Sequence, residues 1–344
     1  MRRISLLLLF AAIFAHSMAQ QQSPNVLYVG NSYTYVNDLP SLVAQVASSA
    51  GYTYKYDSNT PGGCTFAEHC ANESMTKICK GGWDFVVLQE QSQLPSFPQN
   101  QVEVECLPYA AQLADSVKAH GGMPMFYMTW GRKNGDAQNA RYFPVLGTYE
   151  GMDSMLYERY MQMAIDNNSA VCPVGRVWRH LRTNNPEIEL YAEDGSHPSL
   201  AGSYAAACSF FVMLFNVDPD SIITDAGLKS TEASAIRAAV KTVVYDYYDK
   251  WIDPANYDPG TPDDTTTVDT TGTSLPSVIG EPLTAWHNPV TDIVYSEGCF
   301  TVTDMSGRVL LCASDSADVS FLSSGCYILR PQGVGRKAIR FIKK

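Results

Sequence analysis

Residues 25 to 253 alternate short apolar runs with longer stretches of helical periodicity, and this alternation constrains the fold more than any other feature of the chain. The apolar runs are Val26 to Val29, Tyr52 to Tyr56, Phe85 to Gln89, Met123 to Thr129 and Ala170 to Pro173. Runs this short and this continuously apolar suit strands covered on both faces, as in a parallel sheet. Between and after them lie helix candidates. Leu39 to Ala50 follows Asp38 as an N-cap with Pro40 in the first turn, and Val102 to His120 stops at Gly121-Gly122. Met152 to Asn167, Ser199 to Asn216 and Ser230 to Tyr248 complete the set. The pattern predicts an α/β domain built on a doubly wound parallel sheet. Such sheets bind ligands at the carboxyl ends of their strands, where Ser32 and Gln89 both fall.

The flanks read differently. Arg2-Arg3, the apolar stretch Leu6 to Phe14 and the small-residue site Ser17-Met18-Ala19 predict a secretory signal over residues 1–19. The stretch is too short to span a bilayer, and no cysteine follows the cleavage point to carry a lipid anchor. One large domain over 20–255 is then expected. Residues 256–280, rich in Asp and Thr, predict a disordered linker. Residues 281–344 carry short alternating runs between turn signals such as Ser306-Gly307 and Ser324-Gly325, which predict a small β-sandwich. The formal net charge of -11 leaves no basic footprint for nucleic acid.

The nine cysteines of an exported chain can oxidise, and Cys64, Cys70, Cys79 and Cys106 are close enough in sequence for one or two bridges. A zinc site is the rival reading. The absence of any C-x-x-C, with His69 the sole nearby imidazole, argues against metal.

Ser32 ends the run Val26-Leu27-Tyr28-Val29-Gly30-Asn31-Ser32, and Gly30 would permit a tight turn there; the segment also reads as a helix-capping turn. Far downstream stands Asp194-Gly195-Ser196-His197-Pro198-Ser199. A serine hydroxyl is a weak nucleophile that needs a base in reach and a partner to orient that base. Asp194 lies three residues before His197, so a loop can fold its carboxylate onto the ring. His69, His120 and His180 read as surface or structural residues. A reacting acyl group also needs donors for its oxyanion. Gly62-Gly63 after the second strand can supply a backbone N–H, and the Gln89 amide can supply a side-chain donor. Glu90 reads as a structural partner. Trp130-Gly131-Arg132 after the fourth strand can wall the pocket; the alternative is core packing with Arg132 in solvent.

These residues resemble the SGNH (GDSL-like) hydrolases across roughly residues 25 to 250. Gly30-Asn31-Ser32-Tyr33-Thr34 matches the nucleophile block, Gly63 with Gly62 the oxyanion block, and Asp194 to His197 the final Asp-x-x-His block. The third block departs: Gln89, in Leu88-Gln89-Glu90-Gln91-Ser92, stands where the family has Asn. That block resembles a secreted subfamily with Gln in this place. The resemblance implies a flavodoxin-like parallel sheet and serine ester hydrolysis by Ser32, His197 and Asp194 without metal or organic cofactor. The implied substrates are O-acetyl or other small acyl esters on polysaccharide, with lipid esters and thioesters as alternatives. A non-catalytic glycan-binding protein on the same scaffold is the competing reading, motivated by the missing Asn.

The C-terminal module resembles the type IX secretion sorting domain. The matching residues are Asn288-Pro289-Val290, Asp304-Met305-Ser306-Gly307-Arg308-Val309, Leu322 to Leu329 and Lys343-Lys344. It implies the type IX machinery as a partner and a secreted or surface-bound product.

Overall fold

The computed structural model describes residues 23–257, 285–288, 293–304, 308–323, 325–331 and 339–343. The signal segment and nearly all of the linker, from 258 onward, lie outside the described residues, as do Pro289, Val290, Met305, Ser306, Gly307 and Lys344 of the sorting-domain motifs. The chain divides into two compact units, Met1–Pro262 and Asp263–Lys344.

The first unit holds five parallel strands: β1 (Asn25–Val29), β2 (Lys55–Asn59), β3 (Phe85–Leu88), β4 (Met123–Tyr127) and β5 (Ala170–Cys172). Their order is β2-β1-β3-β4-β5, the flavodoxin-like doubly wound order. The expected fold class is the one found. Among the described residues its α-helices are α1 (Ser32–Tyr35), α2 (Leu39–Ser49), α3 (Phe66–Ala71), α4 (Glu73–Lys80), α5 (Gln99–Glu105), α6 (Leu107–Ala119), α7 (Ala137–Ala140), α8 (Tyr149–Asp166), α9 (Val174–Asn184), α10 (Leu200–Phe215), α11 (Ser230–Val243) and α12 (Tyr248–Ile252).

The central strands are apolar on both faces because both faces are covered. Val26, Leu27, Tyr28 and Val29 are all fully buried. β2 is the edge strand and reads Lys-Tyr-Asp-Ser-Asn, mostly exposed. The apolar signal therefore points three residues too early, at Tyr52 to Tyr56. Tyr52 packs back onto Phe211 and Phe215, the Tyr54 hydroxyl donates to the Pro40 carbonyl at 2.5 Å, and the ladder begins at Lys55.

The helix expected over Val102 to His120 is two helices, broken at Cys106. Pro108 is the cause: it has no N–H to donate and disfavours helical backbone before it. Asp38 precedes α2 in a left-handed conformation (φ 48°) and its side chain caps nothing. Asn37, also left-handed (φ 55°), instead ties this corner across the sheet end, its amide donating to the Pro198 carbonyl and to Ser203 Oγ.

None of the described cysteine side chains is bridged, so the disulfides expected among Cys64, Cys70, Cys79 and Cys106 are absent. Three of the four thiols have other partners. Cys106 lies against Met163 Sδ, Cys70 donates to the Tyr109 carbonyl, and Cys64 donates to the Thr65 carbonyl.

The second unit is an antiparallel sheet of β6 (Ala285–Asn288), β7 (Ile293–Asp304), β8 (Val309–Asp318), β9 (Gly325–Pro331) and β10 (Ile339–Lys343). β7 runs unbroken over twelve residues, where the sequence pattern predicts only short runs. β7 pairs with β8 along one edge and with β6 and then β9 along the other, so all five strands form one connected sheet. Val294, Phe300, Val302, Val319, Tyr327 and Leu329 make its small core.

Candidate active site

The first strand leaves the sheet at Val29 and turns into α1 within two residues. Asn31 is the N-cap, its Oδ1 accepting the Tyr33 N–H at 3.3 Å, and Ser32 is the first helical residue. Gly30 is required for space more than for its backbone freedom. A Cβ there would lie 2.7 Å from Gln89 Oε1 and 2.5 Å from Thr34 Oγ1. The buried His69 holds the same corner from below, donating from Nε2 to the Gly30 carbonyl at 2.9 Å while Nδ1 accepts from Ser74 Oγ at 2.8 Å. Burial keeps the His69 pKa below its usual value, in line with a neutral structural imidazole.

The loop before α10 brings the other two groups. Ala192 N–H donates to the His197 carbonyl at 2.8 Å and Tyr191 bridges Pro198, which closes the loop. Gly195 sits inside it with φ 66°. Asp194 Oδ1 accepts the Ser196 and His197 N–H groups at 2.9 and 3.0 Å. Asp194 Oδ2 accepts from His197 Nδ1 at 2.5 Å, and His197 Nε2 lies 2.9 Å from Ser32 Oγ. Nδ1–H donating to the carboxylate leaves Nε2 to accept the serine proton, the tautomer a general base needs. Burial pulls the Asp194 pKa upward, but the His197 ring and the two backbone N–H groups outweigh it and hold the carboxyl below its ordinary value.

Gly63 ends a tight turn closed by Cys64 N–H to the Pro61 carbonyl at 3.2 Å. Its φ is 72° and a Cβ there would meet nothing within 4 Å, so conformation alone calls for glycine. Gly63, Ser32 and His197 line one cleft of about 180 Å³. Among the described residues neither the Ser32 N–H nor the Gly63 N–H has an acceptor, which leaves both for a developing oxyanion. Gly62 does not line the cleft; it packs toward the Tyr35 hydroxyl.

Two further sequence assignments are corrected. Gln89 is fully buried and cannot point a donor at an oxyanion. Its Oε1 accepts from the Asn31 N–H and Thr34 Oγ1, and its Nε2 donates to Asn31 Oδ1 and the Glu90 carbonyl, so both ends of the amide are used. It holds the turn that carries Ser32. Trp130 is also fully buried. It stacks between Tyr33 (ring centroids 4.7 Å) and Trp178 (3.7 Å), and its Nε1 donates to the Ser196 carbonyl at 3.0 Å. It braces the wall from behind and does not face the cleft.

Glu90 is the structural partner expected. Its carboxyl accepts the Phe66 N–H at 2.8 Å and the Gln91 N–H at 2.6 Å, joining the loop after β3 to the start of α3. Burial raises its pKa to about 8, so it is mostly protonated at neutral pH.

Asn31, Arg132, Gln91, Ser92, Tyr33 and Ser196 complete the cleft lining. The sequence allows Arg132 in the pocket wall or in solvent, and the structure puts it in the cleft; sequence reasoning assigned Tyr33 and Ser196 no role. Tyr33 follows the nucleophile directly, which was the available signal. Its hydroxyl lies 2.7 Å from Ser196 Oγ and its ring packs edge-on to His197 at 5.5 Å.

No family model matches the sequence, and no curated protein matches it. Solved structures do. A DUF4886 family protein from Bacteroides uniformis covers 67% of this chain and 98% of its own, at 17% identity and a TM-score of 0.57, and shares the fold. A protein from Slackia heliotrinireducens, assigned by its description to the SGNH hydrolases, is 28% identical over 55% of this chain and 98% of its own, at a TM-score of 0.45. A catalytic mutant of an acetylxylan esterase from Geobacillus stearothermophilus is 14% identical over 55% of this chain and 94% of its own, at a TM-score of 0.40.

Proposed function

We propose that this chain is a secreted serine esterase of the SGNH type that removes small acyl groups, acetyl foremost, from carbohydrate esters. The observation that carries the reading is the unbroken hydrogen-bonded series from Asp194 through His197 to Ser32 Oγ, opening on a cleft at the carboxyl ends of the strands.

The chemistry follows from the geometry. Ser32 Oγ attacks the ester carbonyl as His197 Nε2 takes its proton, and the Asp194 carboxylate stabilises the imidazolium that forms. Negative charge collects on the former carbonyl oxygen, where the Ser32 and Gly63 N–H groups are free to receive it. Collapse expels the alcohol, which leaves with the proton from His197, and an acyl-Ser32 ester remains. Water repeats the sequence and releases the acid. These steps draw on side chains and backbone alone.

A cleft of about 180 Å³ is smaller than the ~300–1,000 Å³ usual for drug-sized ligands, which favours a short acyl group over a fatty one. Export across the outer membrane by the type IX machinery rests on the sequences of residues 1–19 and 281–344.

The test is acetate release from a panel of acetylated polysaccharides, with 4-nitrophenyl acetate as a simple reporter. Ser32→Ala should lower kcat by about 10⁴–10⁶-fold. Equal rates from both proteins would overturn the esterase reading.

A further inference from the structure

Arg132 stands out among the cleft residues. It is the one lining residue, among those described, with a permanent charge. The loop that carries it is fixed on every side. The Arg132 N–H meets Met152 Sδ at 3.4 Å and its carbonyl accepts the Gly135 N–H at 2.9 Å. Just before it, the Gly131 carbonyl accepts the Tyr191 hydroxyl at 2.6 Å; just after it, the Lys133 N–H donates to the Gly195 carbonyl at 2.8 Å. The last bond ties this loop to the one that carries Asp194 and His197.

Its guanidinium is nevertheless left without hydrogen bonds. Among the described residues no acceptor is matched to any of its donors, and Nε is sealed from solvent with no partner. Nε alone is buried idle, while the rest of the planar fork keeps some exposure. The nearest charge is Asp136, whose Oδ1 lies 3.6 Å from one terminal nitrogen, beyond hydrogen-bond reach. Asp136 is 1% exposed and its oxygens are committed elsewhere. They accept from Gln93 Nε2 at 2.5 Å, Asn139 Nδ2 at 2.7 Å and the Asn139 N–H at 3.3 Å. Asp136 thus offsets part of the desolvation cost of a cation here without occupying its fork. Arg132 itself stays 29% exposed.

We propose that Arg132 binds a carboxylate of the substrate, so that the site prefers acyl esters carrying such a group, as on a uronic acid, over neutral ones. With Nε sealed, the two terminal nitrogens are the pair that can give a carboxylate two parallel N–H···O bonds. The same chemistry can be carried by the sugar or by the acyl group. This inference rests on the esterase reading and names its substrate class.

Binding separates the two. In Ser32→Ala protein, galacturonate and its methyl ester are titrated by calorimetry, and the titration is repeated in Ser32→Ala/Arg132→Gln. The expected result is at least tenfold tighter binding of galacturonate than of its methyl ester, with the difference lost in the double variant. With Ser32 present, hydrolysis of acetylated galacturonate against its methyl ester, and of 4-nitrophenyl hemisuccinate against the acetate, tells which half of the ester carries the carboxylate. A preference in kcat/KM in either pair, diminished in Arg132→Gln, supports the assignment. Equal binding of galacturonate and its methyl ester, together with no preference in either kinetic pair, overturns it and leaves the esterase reading standing. Absence of hydrolysis of every ester, with the binding preference intact, overturns the esterase reading and retains the carboxylate site.

Discussion

Gln89 and Asn31 exchange two hydrogen bonds across the ends of β3 and β1. The Asn31 N–H donates to Gln89 Oε1 at 3.0 Å, and Gln89 Nε2 donates to Asn31 Oδ1 at 2.9 Å. Asn31 spends its remaining amide protons on the Cys64 and Glu90 carbonyls at 3.0 and 3.3 Å. One buried pair of amides therefore fastens together the nucleophile turn, the Gly63 turn and the loop after β3. All three segments contribute residues to the cleft lining: Ser32, Gly63, and Gln91 with Ser92.

Replacing Gln89 tests that fastening. Gln89→Ala strands the Asn31 N–H and the Thr34 hydroxyl in a buried site, each unmet group costing about 1–3 kcal/mol, and leaves Asn31 Oδ1 with the Tyr33 N–H alone. A marked drop in melting temperature is expected, with a fall in kcat as the Ser32 turn loosens. Gln89→Asn keeps the amide on a stem one methylene shorter and should recover part of the stability. The contrast with an oxyanion donor is clear in thermal unfolding: a donor aimed at the cleft would lower kcat and leave stability nearly unchanged.

Glu90 gives a pH-dependent signature. Its folded pKa of about 8 lies above the ordinary 4.5, so the fold prefers the proton. Below pH 4.5 both folded and unfolded chains carry it and the cost is absent. Between pH 4.5 and 8 the unfolded chain releases it first, and stability falls as pH rises; above 8 the loss is complete. Glu90→Gln mimics the neutral acid and escapes that loss. Relative to the parent it should gain stability progressively from pH 5 to pH 8, by an amount on the order of a few kcal/mol. Denaturant midpoints at three pH values decide it. A constant difference across the range would count against a protonated Glu90.

Asp194 behaves in the opposite sense. Its folded pKa is depressed, so its stabilising contribution is present above the ordinary carboxylate value of 3.8 and is lost as pH falls through the lower folded value. Asp194→Asn should leave the loop formed, since an amide oxygen can still accept the Ser196 and His197 N–H groups. It offers His197 Nδ1 the wrong partner and favours the wrong tautomer, with kcat falling by about 10⁴-fold. Esterase assays at pH 7, paired with melting curves that match the parent, would show this separation.

The residues that fixed the site in the sequence were those whose type carries chemistry next to a turn former. Ser32 follows Gly30, Gly63 follows Gly62, and His197 precedes Pro198. Their positions at strand ends followed from the apolar runs, because central parallel strands are apolar throughout. What sequence position does not carry is the direction of a side chain once the strand has ended. Gln89 turns under the nucleophile corner while Gln91 and Ser92, two and three residues on, face the cleft. Trp130 and Arg132 part in the same way, one into the core and one into the cleft. The register of β2 was hidden for a different reason: an edge strand needs no apolar signal. α9 was missed although Val174, Val177, Trp178 and Leu181 form a buried stripe at helical spacing, because its other face is dense in charge.

Gly63 permits the sharpest test of the oxyanion geometry. A Cβ at this position would meet nothing within 4 Å, so Gly63→Ala is not opposed by packing. It is opposed by the backbone: φ of 72° in a residue with a side chain costs about 1–2 kcal/mol, and the turn will relax toward negative φ where it can. Such relaxation rotates the Gly63 N–H away from the cleft. The ground-state ester makes little use of that donor and the tetrahedral intermediate makes much of it, so the loss belongs in kcat, at about 10²–10³-fold, with KM little changed. Gly62→Ala is the matched comparison. Its Cβ would reach the Tyr35 hydroxyl at 3.5 Å, an ordinary contact, and its φ lies outside the left-handed region. If Gly62→Ala and Gly63→Ala lowered kcat equally, turn stability would be the cause and the Gly63 N–H would lose its assigned role.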